Sequence, residues 1–214
     1  MQLFDYGEAL RYLGCKDESL ADEQLINQVK NAEELLCGLV PRCAYTEAAI
    51  SLQMDSVHVF NHLIASKALA SHLQGCEKAV LFAATLGAEA DRILRRYSLC
   101  DISFCTVLQA AMAAMLEQYC DAEQKKIAKL YEQKGLFIRP RFSPGYGDYS
   151  VLEHAFILDM TGAGKKLGLG LTDSSMLTPT KSITAVIGLS NENRPCFANK
   201  CQTCPNLICA YRKA

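Results

Sequence analysis

The chain has 214 residues, enough for one substantial hydrophobic core or for a small domain beside a larger one. Its 22 basic and 23 acidic residues give a formal charge of −1, a balance that does not indicate a nucleic-acid partner. No apolar run reaches the length of a membrane span, and Met1–Asp5 lacks the basic and apolar regions of a signal peptide. These features predict a protein that works without a membrane or a nucleic acid.

The cysteine content indicates a reducing compartment. The 11 cysteines are an odd number, and seven of them are scattered through helix-like or strand-like sequence. Because no secretion signal accompanies them, most are interpreted as reduced thiols. The chain is therefore predicted to be cytoplasmic.

The sequence divides into three parts: a helical region over residues 1–40, a core over residues 41–192 and a cysteine-rich tail over residues 193–214. In the first part, Ser19 followed by Asp22 is a weak capping-box start for a helix. The glycine and proline at positions 38 and 41 predict where that helix stops.

One apolar stripe runs along this first helix, because four apolar residues recur at helical spacing. The stripe consists of Leu25, Val29, Ala32 and Leu36. It is expected to pack on the rest of the chain, and a docking arm for a partner is the alternative.

The middle part mixes predicted strands and helices. Ala79–Thr85 is a short apolar run that ends before a glycine, so it predicts a buried strand. A long helix is predicted over 102–132; its half at 104–116 is apolar on every side and should be central, and its lysine-rich second half should emerge into water. The other predicted elements are strands at 45–52, 166–171 and 183–189 and helices at 88–97 and 152–160. The predicted fold class is α+β, with an antiparallel or mixed sheet and a long buried helix.

The segment Arg139–Tyr149 places an arginine, a tight turn and an aromatic ring close together. Pro144 fixes φ at the first turn position, and Gly145 supplies the positive φ that the next position needs. Arg141 offers a bidentate fork for a carboxylate, and Tyr146 offers a flat apolar face. In isolation, a structural turn with a surface arginine would be the simpler interpretation.

This segment resembles a known protein family, and other segments of the chain resemble the same family. Arg141-x-x-x-Gly145-Tyr146 resembles the S-adenosylmethionine-binding signature of the activation domain of cobalamin-dependent methionine synthase. Further segments resemble the same family in the expected order, from about residue 9 to 190: Ala9–Gly14, Gly75–Gly87, Leu169–Ser174 and Pro179–Ala185. That collinearity makes the resemblance more specific than any one motif.

The resemblance implies that the chain binds S-adenosylmethionine beside a cobalamin held by a corrinoid-binding methyltransferase protein. Arg141, Ser143, Gly145 and Tyr146 would line the ligand, with backbone groups around Ser143 contacting the adenosine. Glu117, where the apolar half of the long helix ends, resembles an acidic position of the family and would face the ammonium or the ribose. A solvated helix glutamate is the alternative for Glu117.

The chemistry that the resemblance implies needs no acid–base pair. An inactive Co(II) corrinoid takes up an electron and is methylated by S-adenosylmethionine, and the cobalt is the nucleophile, so the protein supplies positioning and desolvation. The histidines fit this view. His58 and His62 have i,i+4 spacing but no accompanying metal-site pattern, so ordinary packing or surface roles are predicted.

The sequence departs from the long methionine synthase in two ways. It carries no corrinoid-binding or homocysteine-binding domain, so the cobalamin is expected on a separate partner. Its tail also replaces the region from which the long enzyme supplies a tyrosine to the ligand site.

The tail is a candidate metal site. Cys196, Cys201, Cys204 and Cys209 form C-x4-C-x2-C-x4-C within 14 residues, a density of thiolates that suits iron–sulfur or zinc. The compact spacing, with Pro205 directly after Cys204, favours a [4Fe–4S] cluster over zinc, and reduced cysteines or disulfides remain as the other interpretation. A cluster would relay an electron from a low-potential donor to Co(II).

Two classes of function follow from these features. The first is a reactivation factor that uses S-adenosylmethionine, together with the predicted cluster, to restore a corrinoid methyltransferase. The alternative is a non-catalytic corrinoid-protein chaperone or a metal-binding interaction module that kept only the fold.

Overall fold

The computed structural model describes residues 4–15 and 21–193. The helices are α1 (Tyr6–Tyr12), α2 (Glu23–Leu36), α3 (Lys67–His72), α4 (Ala88–Cys100), α5 (Ile102–Glu132), α6 (His154–Thr161) and α7 (Ala163–Leu167). The strands are β1 (Arg42–Leu52), β2 (Ser56–Val59), β3 (His62–Ala65), β4 (Lys78–Thr85), β5 (Phe137–Ile138), β6 (Gly170–Leu171), β7 (Leu177–Thr178) and β8 (Ser182–Ser190). A short 3₁₀ helix, Val151–Glu153, precedes α6.

The main sheet is antiparallel throughout. Its strand order is β3-β2-β1-β4-β8-β5, and β6 pairs with β7 in a separate ribbon. The predicted α+β class, with its antiparallel sheet and long helix, is confirmed.

The centre of the sheet is the β4–β8 pair, which is covered on both faces. Every residue of β4 after Lys78 is buried. The register runs from Lys78 opposite Leu189 to Thr85 opposite Ser182. A strand covered on both faces needs a continuous apolar run, which is the pattern that predicted it.

The two faces of this pair hold different apolar clusters. Val80, Phe82 and Ile187 belong to the cluster built around α5. Leu81 and Val186 belong to the cluster that includes residues of α3 and α6. Because alternate residues of a strand point to opposite faces, the same two strands serve both clusters and the sheet is the middle layer of three.

Helix α5 spans 31 residues and matches its predicted range. The side chain of Asp101 accepts a hydrogen bond from the Phe104 N–H at 2.9 Å and caps the helix. The first half is central, as predicted, with buried Cys105, Val107, Leu108, Ala110, Ala111, Met112, Ala114, Met115 and Leu116.

The second half of α5 is exposed on one side only. Lys125 and Lys129 reach water, as predicted. Ile127 and Tyr131 stay buried, because this part of the helix still lies over the sheet, where Tyr131 Oη donates to Glu47 Oε2 at 2.9 Å.

The apolar stripe of α2 packs into the α5 cluster through Val29, Ala32 and Leu36. It is therefore a packing face and not a free docking arm. The helix is capped by Asp22, whose carboxylate accepts from the Leu25 N–H at 2.7 Å. The predicted capping role of residue 19 lies outside the described residues.

The β2–β3 hairpin carries no strong sequence signal. Each strand has 4 residues, and the connecting pair Phe60–Asn61 contains no glycine. Phe60 takes a positive φ of 52°, which a bulky residue rarely adopts. The hairpin places His58 and His62 on two different strands, so the helical spacing considered for a metal does not arise.

The strand predicted over residues 166–171 is wrong for most of its length. Ala163 and Leu167 are four residues apart and both buried, which is the spacing of one face of a helix, here α7. Gly168 ends that helix in the left-handed conformation at φ 74°. Only Gly170–Leu171 is extended.

The remaining predicted elements are present. The strands at 45–52 and 183–189 lie within β1 and β8, the helix at 88–97 lies within α4, and the helix at 152–160 is formed by the 3₁₀ turn and α6. Among the described helices, none is both long enough and apolar enough to cross a bilayer.

Gly188 on β8 provides a test of the packing between the sheet and α3. A Cβ there would meet Cys76 Sγ and Leu73 Cδ2 at 2.8 Å. We expect Gly188→Ala to lower the free energy of unfolding by about 1–3 kcal/mol through overpacking, measured by urea denaturation. Gly38→Ala is the matched control, since nothing lies within 4 Å of its Cβ position. Equal midpoints for the two variants would contradict the tight packing at Gly188.

Candidate functional site

The backbone between β5 and the predicted turn contains a β-bulge. The Arg139 N–H donates to Gly188 O at 2.7 Å, and Phe142 then pairs with Val186. The segment advances three residues from Arg139 to Phe142, whereas the paired stretch of β8 advances only two, from Gly188 to Val186. The segment therefore holds one extra residue. Because side chains alternate across a strand, the extra residue turns Arg141 towards α5 and leaves the side chains of Arg139 and Phe142 on the α3 face.

The guanidinium of Arg141 is held by three side chains of α5. Its Nη2 donates to Glu117 Oε2 at 2.9 Å and to Asp121 Oδ1 at 2.7 Å. Its Nη1 donates to Gln124 Oε1 at 3.0 Å. Along α5, Glu117, Asp121 and Gln124 are four and three residues apart, so they form one stripe of the helix. The structure therefore brings Arg141 and Glu117 together, as a shared site requires.

Arg141 stays charged in this environment. Burial disfavours the guanidinium, but its pKa is raised above its ordinary value because the Cys120 thiol and the carboxylates of Asp121 and Glu117 surround it. Asp121 and Glu117 keep much of their side chains in water, with relative exposures of 64% and 42%, against 12% for Arg141. The cluster is thus an anchored cation with its acidic partners facing solvent.

The turn predicted from Pro144 and Gly145 is present. The Tyr146 N–H donates to Ser143 O at 3.1 Å, and Gly145 has φ 95°, as the third position of a type II turn requires. Ser143 is buried and its carbonyl closes the turn, whereas Gly145 and Tyr146 are exposed. The exposed edge of the turn is the part that a ligand can approach.

A second turn locks the first against α3. The Tyr149 N–H donates to Tyr146 O at 3.0 Å, and the Gly145 N–H donates to Tyr149 O at 2.7 Å. Gly147 takes φ 56°, and a Cβ there would lie 2.8 Å from the Cβ of Ala68. Glycine is required at this position because the backbone approaches α3 too closely for a side chain.

The aromatic ring of Tyr146 leans on Phe142, with ring centroids 5.6 Å apart and planes at 81°. Burial raises the pKa of the Tyr146 hydroxyl, Glu117 raises it further, and Arg141 lowers it. Tyr146 is therefore a neutral ring whose hydroxyl lies within electrostatic range of the Arg141 cluster.

The cluster contains residues that the motif did not indicate. Asp121 and Gln124 bind Arg141 from 20 and 17 residues away, and their signal in the sequence is only the helical spacing from Glu117. Tyr12 on α1 approaches from another side: burial raises its pKa first, and the Glu117 carboxylate adds to the shift. The N-terminal helical region thus reaches the candidate site.

The predicted metal ligands Cys196, Cys201, Cys204 and Cys209 lie outside the described residues. Within residues 4–15 and 21–193, no group of three or more histidine, cysteine or acidic side chains is placed to hold a metal ion. His62 instead contacts Glu153 Oε2 at 2.6 Å and stacks on Phe156 at 4.0 Å. It has the packing role predicted for it.

No family model matches the chain, and no curated protein matches it. Among solved structures, the chain is similar to the crystal structure of the MetH reactivation domain bound to AdoHcy, with 14% sequence identity and a TM-score of 0.66. The likeness covers 90% of this chain and 76% of that one. The resemblance predicted from the signature is confirmed at the level of the fold.

Asp148 allows a test of how the turn is tied to α3. Its carboxylate accepts from Ser66 Oγ at 2.6 Å and from the N–H groups of Lys67 and Ala68 at 2.9 and 3.0 Å. These hydrogen bonds, that of Ser66 foremost, hold the pKa of Asp148 below its usual value of 3.8. The stability they contribute is complete above the unfolded-state pKa and is lost as the pH falls through the lower folded-state pKa.

We therefore expect the urea midpoint of unfolding to be higher for the wild-type protein than for Asp148→Asn at about pH 7. The difference between the two midpoints should shrink towards about pH 2. Urea titrations across that range measure it. Asp173→Asn, at an exposed turn position, is the control and should show a smaller difference at neutral pH. A wild-type advantage that does not change with pH would refute a role for the charged carboxylate.

Proposed function

We propose that this protein binds S-adenosylmethionine at the Arg141 turn and reactivates a Co(II) corrinoid carried by a separate methyltransferase protein. The observation that carries the proposal is the placement of the signature turn against the acidic stripe of α5. Arg141 contacts Glu117, and Tyr146, on the exposed turn, lies within electrostatic range of both. The likeness to a reactivation domain that was solved with AdoHcy supports the same ligand class here.

The residues present fit the polar end of this ligand. Arg141 supplies a planar cation for the ligand carboxylate, and a charge-assisted pair of this kind is among the stronger hydrogen bonds in proteins. Glu117 supplies an acceptor for the ammonium group. The polar end of the ligand would therefore lie along α5.

The adenosine needs a different surface. The turn offers backbone groups around Ser143 together with the exposed edge of Gly145, and the Tyr146 ring offers an apolar face 47% exposed. An aromatic face and backbone polar groups are the usual means of holding a purine. The adenosine would therefore lie over the turn.

In the proposed reaction, one electron from a low-potential donor takes Co(II) to Co(I), whose electron pair takes the sulfonium methyl group and leaves S-adenosylhomocysteine. The chain itself would hold the sulfonium towards the corrinoid and exclude water from the gap. A general acid or base is not required for this reaction.

We further propose that Cys196, Cys201, Cys204 and Cys209 hold a [4Fe–4S] cluster, with zinc as the other metal considered. The basis is the spacing of the thiols in the sequence. A cluster would connect an external low-potential donor to the corrinoid. The free thiols of the described residues agree with a reducing, cytoplasmic setting for this chemistry.

The ligand site is tested by Arg141→Ala. Removing the guanidinium should weaken S-adenosylmethionine binding by about tenfold to a hundredfold, because a charged hydrogen-bond donor is lost. Isothermal titration calorimetry on anaerobically purified protein measures the affinity. Arg92→Ala is the control, since Arg92 is exposed and pairs only locally with Glu89.

Glu117→Gln is a second variant that leaves Arg141 in place and should also weaken binding. Binding unchanged in both variants would reject this site. Loss of methyl-donor-dependent reactivation of a Co(II) corrinoid protein should accompany loss of binding. Reactivation that persists without ligand binding would favour the chaperone alternative.

The tail is tested by metal analysis. We expect anaerobically purified protein to contain iron and acid-labile sulfide, and Cys204→Ser to lose both because one thiolate ligand is removed. Cys37→Ser, at an exposed position in the described part of the chain, should keep them. Stoichiometric zinc with no sulfide would exclude the cluster and leave a structural metal site.

A further inference from the structure

The charges at the Arg141 cluster do not cancel. One guanidinium faces the two carboxylates of Glu117 and Asp121, which gives a formal sum of −1. Gln124, the remaining partner, is neutral. A site with this sum is complementary to a ligand that carries a net positive charge.

Among the described residues, two neighbouring cations are already paired with carboxylates. On α1, Arg11 is paired with Glu8. On α5, Lys126 is paired with Glu123 at 2.6 Å. Lys125, four residues after Asp121, is exposed, and solvent screens its charge. The sum of −1 is therefore that of the charged groups in direct contact around Arg141.

Before a ligand carboxylate can bind the guanidinium of Arg141, it must displace a side chain that is already hydrogen-bonded there. Arg141 Nη2 is shared between Glu117 and Asp121, and Asp121 is the more exposed of the two, at 64% against 42%. The exposed carboxylate costs less to move back into water. An incoming carboxylate would therefore replace Asp121 on Nη2 more readily than Glu117, which would leave Asp121 beside the bound ligand.

We propose that Asp121 makes this site selective for the cationic methyl donor over its neutral demethylated product. The inference rests on the proposed function. S-adenosylmethionine carries a sulfonium, an ammonium and a carboxylate, a net charge of +1, whereas S-adenosylhomocysteine has lost the sulfonium charge and is neutral. Once the ligand carboxylate has neutralised Arg141, the two acidic side chains face two cations in the donor and only one in the product.

The consequence is that S-adenosylhomocysteine is released more easily once the methyl group has been transferred. Transfer of the methyl group removes the sulfonium charge and leaves one carboxylate of the cluster without a counter-charge. The product is then held less tightly than the donor. Because Asp121 is largely exposed, solvent screens the effect, and the donor should bind about threefold more tightly than the product at low salt.

Asp121→Asn tests this inference. The amide keeps an oxygen in place for the hydrogen bond from Arg141 Nη2 and removes only the charge. Calorimetry should compare three ligands: S-adenosylmethionine, S-adenosylhomocysteine and sinefungin, whose amine carries a positive charge near the position of the sulfonium. Asp173→Asn is the control for loss of an acidic residue elsewhere on the surface.

In wild type and in Asp173→Asn, we expect both cationic ligands to bind more tightly than S-adenosylhomocysteine, with the ratio falling towards one at about 1 M salt. In Asp121→Asn the ratio should fall towards one at low salt, with no loss of affinity for S-adenosylhomocysteine. An equal loss of affinity for all three ligands would assign Asp121 to positioning Arg141 and overturn charge selection. A wild-type ratio that the substitution does not change would also overturn it.

These outcomes separate the inference from the proposed function. If the three ligands bind and lose affinity in Arg141→Ala but show no charge preference, only the role of Asp121 fails. If none of them binds in a saturable way, the proposed function fails and charge selection fails with it.

Discussion

The position of the candidate site depends on the β-bulge, the one extra residue in the segment that directly follows β5. In a regular strand, Arg141 would lie opposite Val186 and share the α3 face of the sheet. Because of the bulge, Phe142 lies opposite Val186 instead. Arg141 consequently projects to the opposite face, where α5 presents its acidic stripe. Pro140 lies at the bulge and has no N–H to leave unpaired there. The charge cluster, the turn and the exposed tyrosine all follow from this change of register.

The turn itself is fixed by close packing and by hydrogen bonds to the start of α3. Gly147 lies so close to Ala68 that no side chain fits between them, and Asp148 closes the start of α3 through Ser66. Helix α3 is short, with residues 67–72, so it is held in place by this cap and by the apolar cluster beneath it. The acidic stripe on the other side belongs to a long helix whose first half is largely buried. A rigid loop and a rigid helix therefore set the distance across the site.

The parts of the fold that the sequence predicted are those with strong local signals. Helix α5 and strands β4 and β8 are long and largely apolar, α5 begins after the capping Asp101 and β4 ends shortly before Gly87, so periodicity and composition locate them. The β2–β3 hairpin has two short strands and a phenylalanine where a turn favours glycine or asparagine, so no pattern reveals it. The motif located Arg141 and its turn, but the pairing with Asp121 and Gln124 joins distant residues and required the three-dimensional structure.

The same bulge affects how the sheet meets other chains. The outermost strand on this side, β5, has only 2 residues, and the segment that continues it is broken by Pro140 and by the added residue. An intact edge strand exposes a row of unpaired N–H and C=O groups, on which a second molecule can add a strand and begin aggregation. The residues that aim Arg141 at its partners thus also interrupt this edge as a template. One short stretch of sequence thus carries both the proposed ligand-binding arginine and the interruption of the sheet edge.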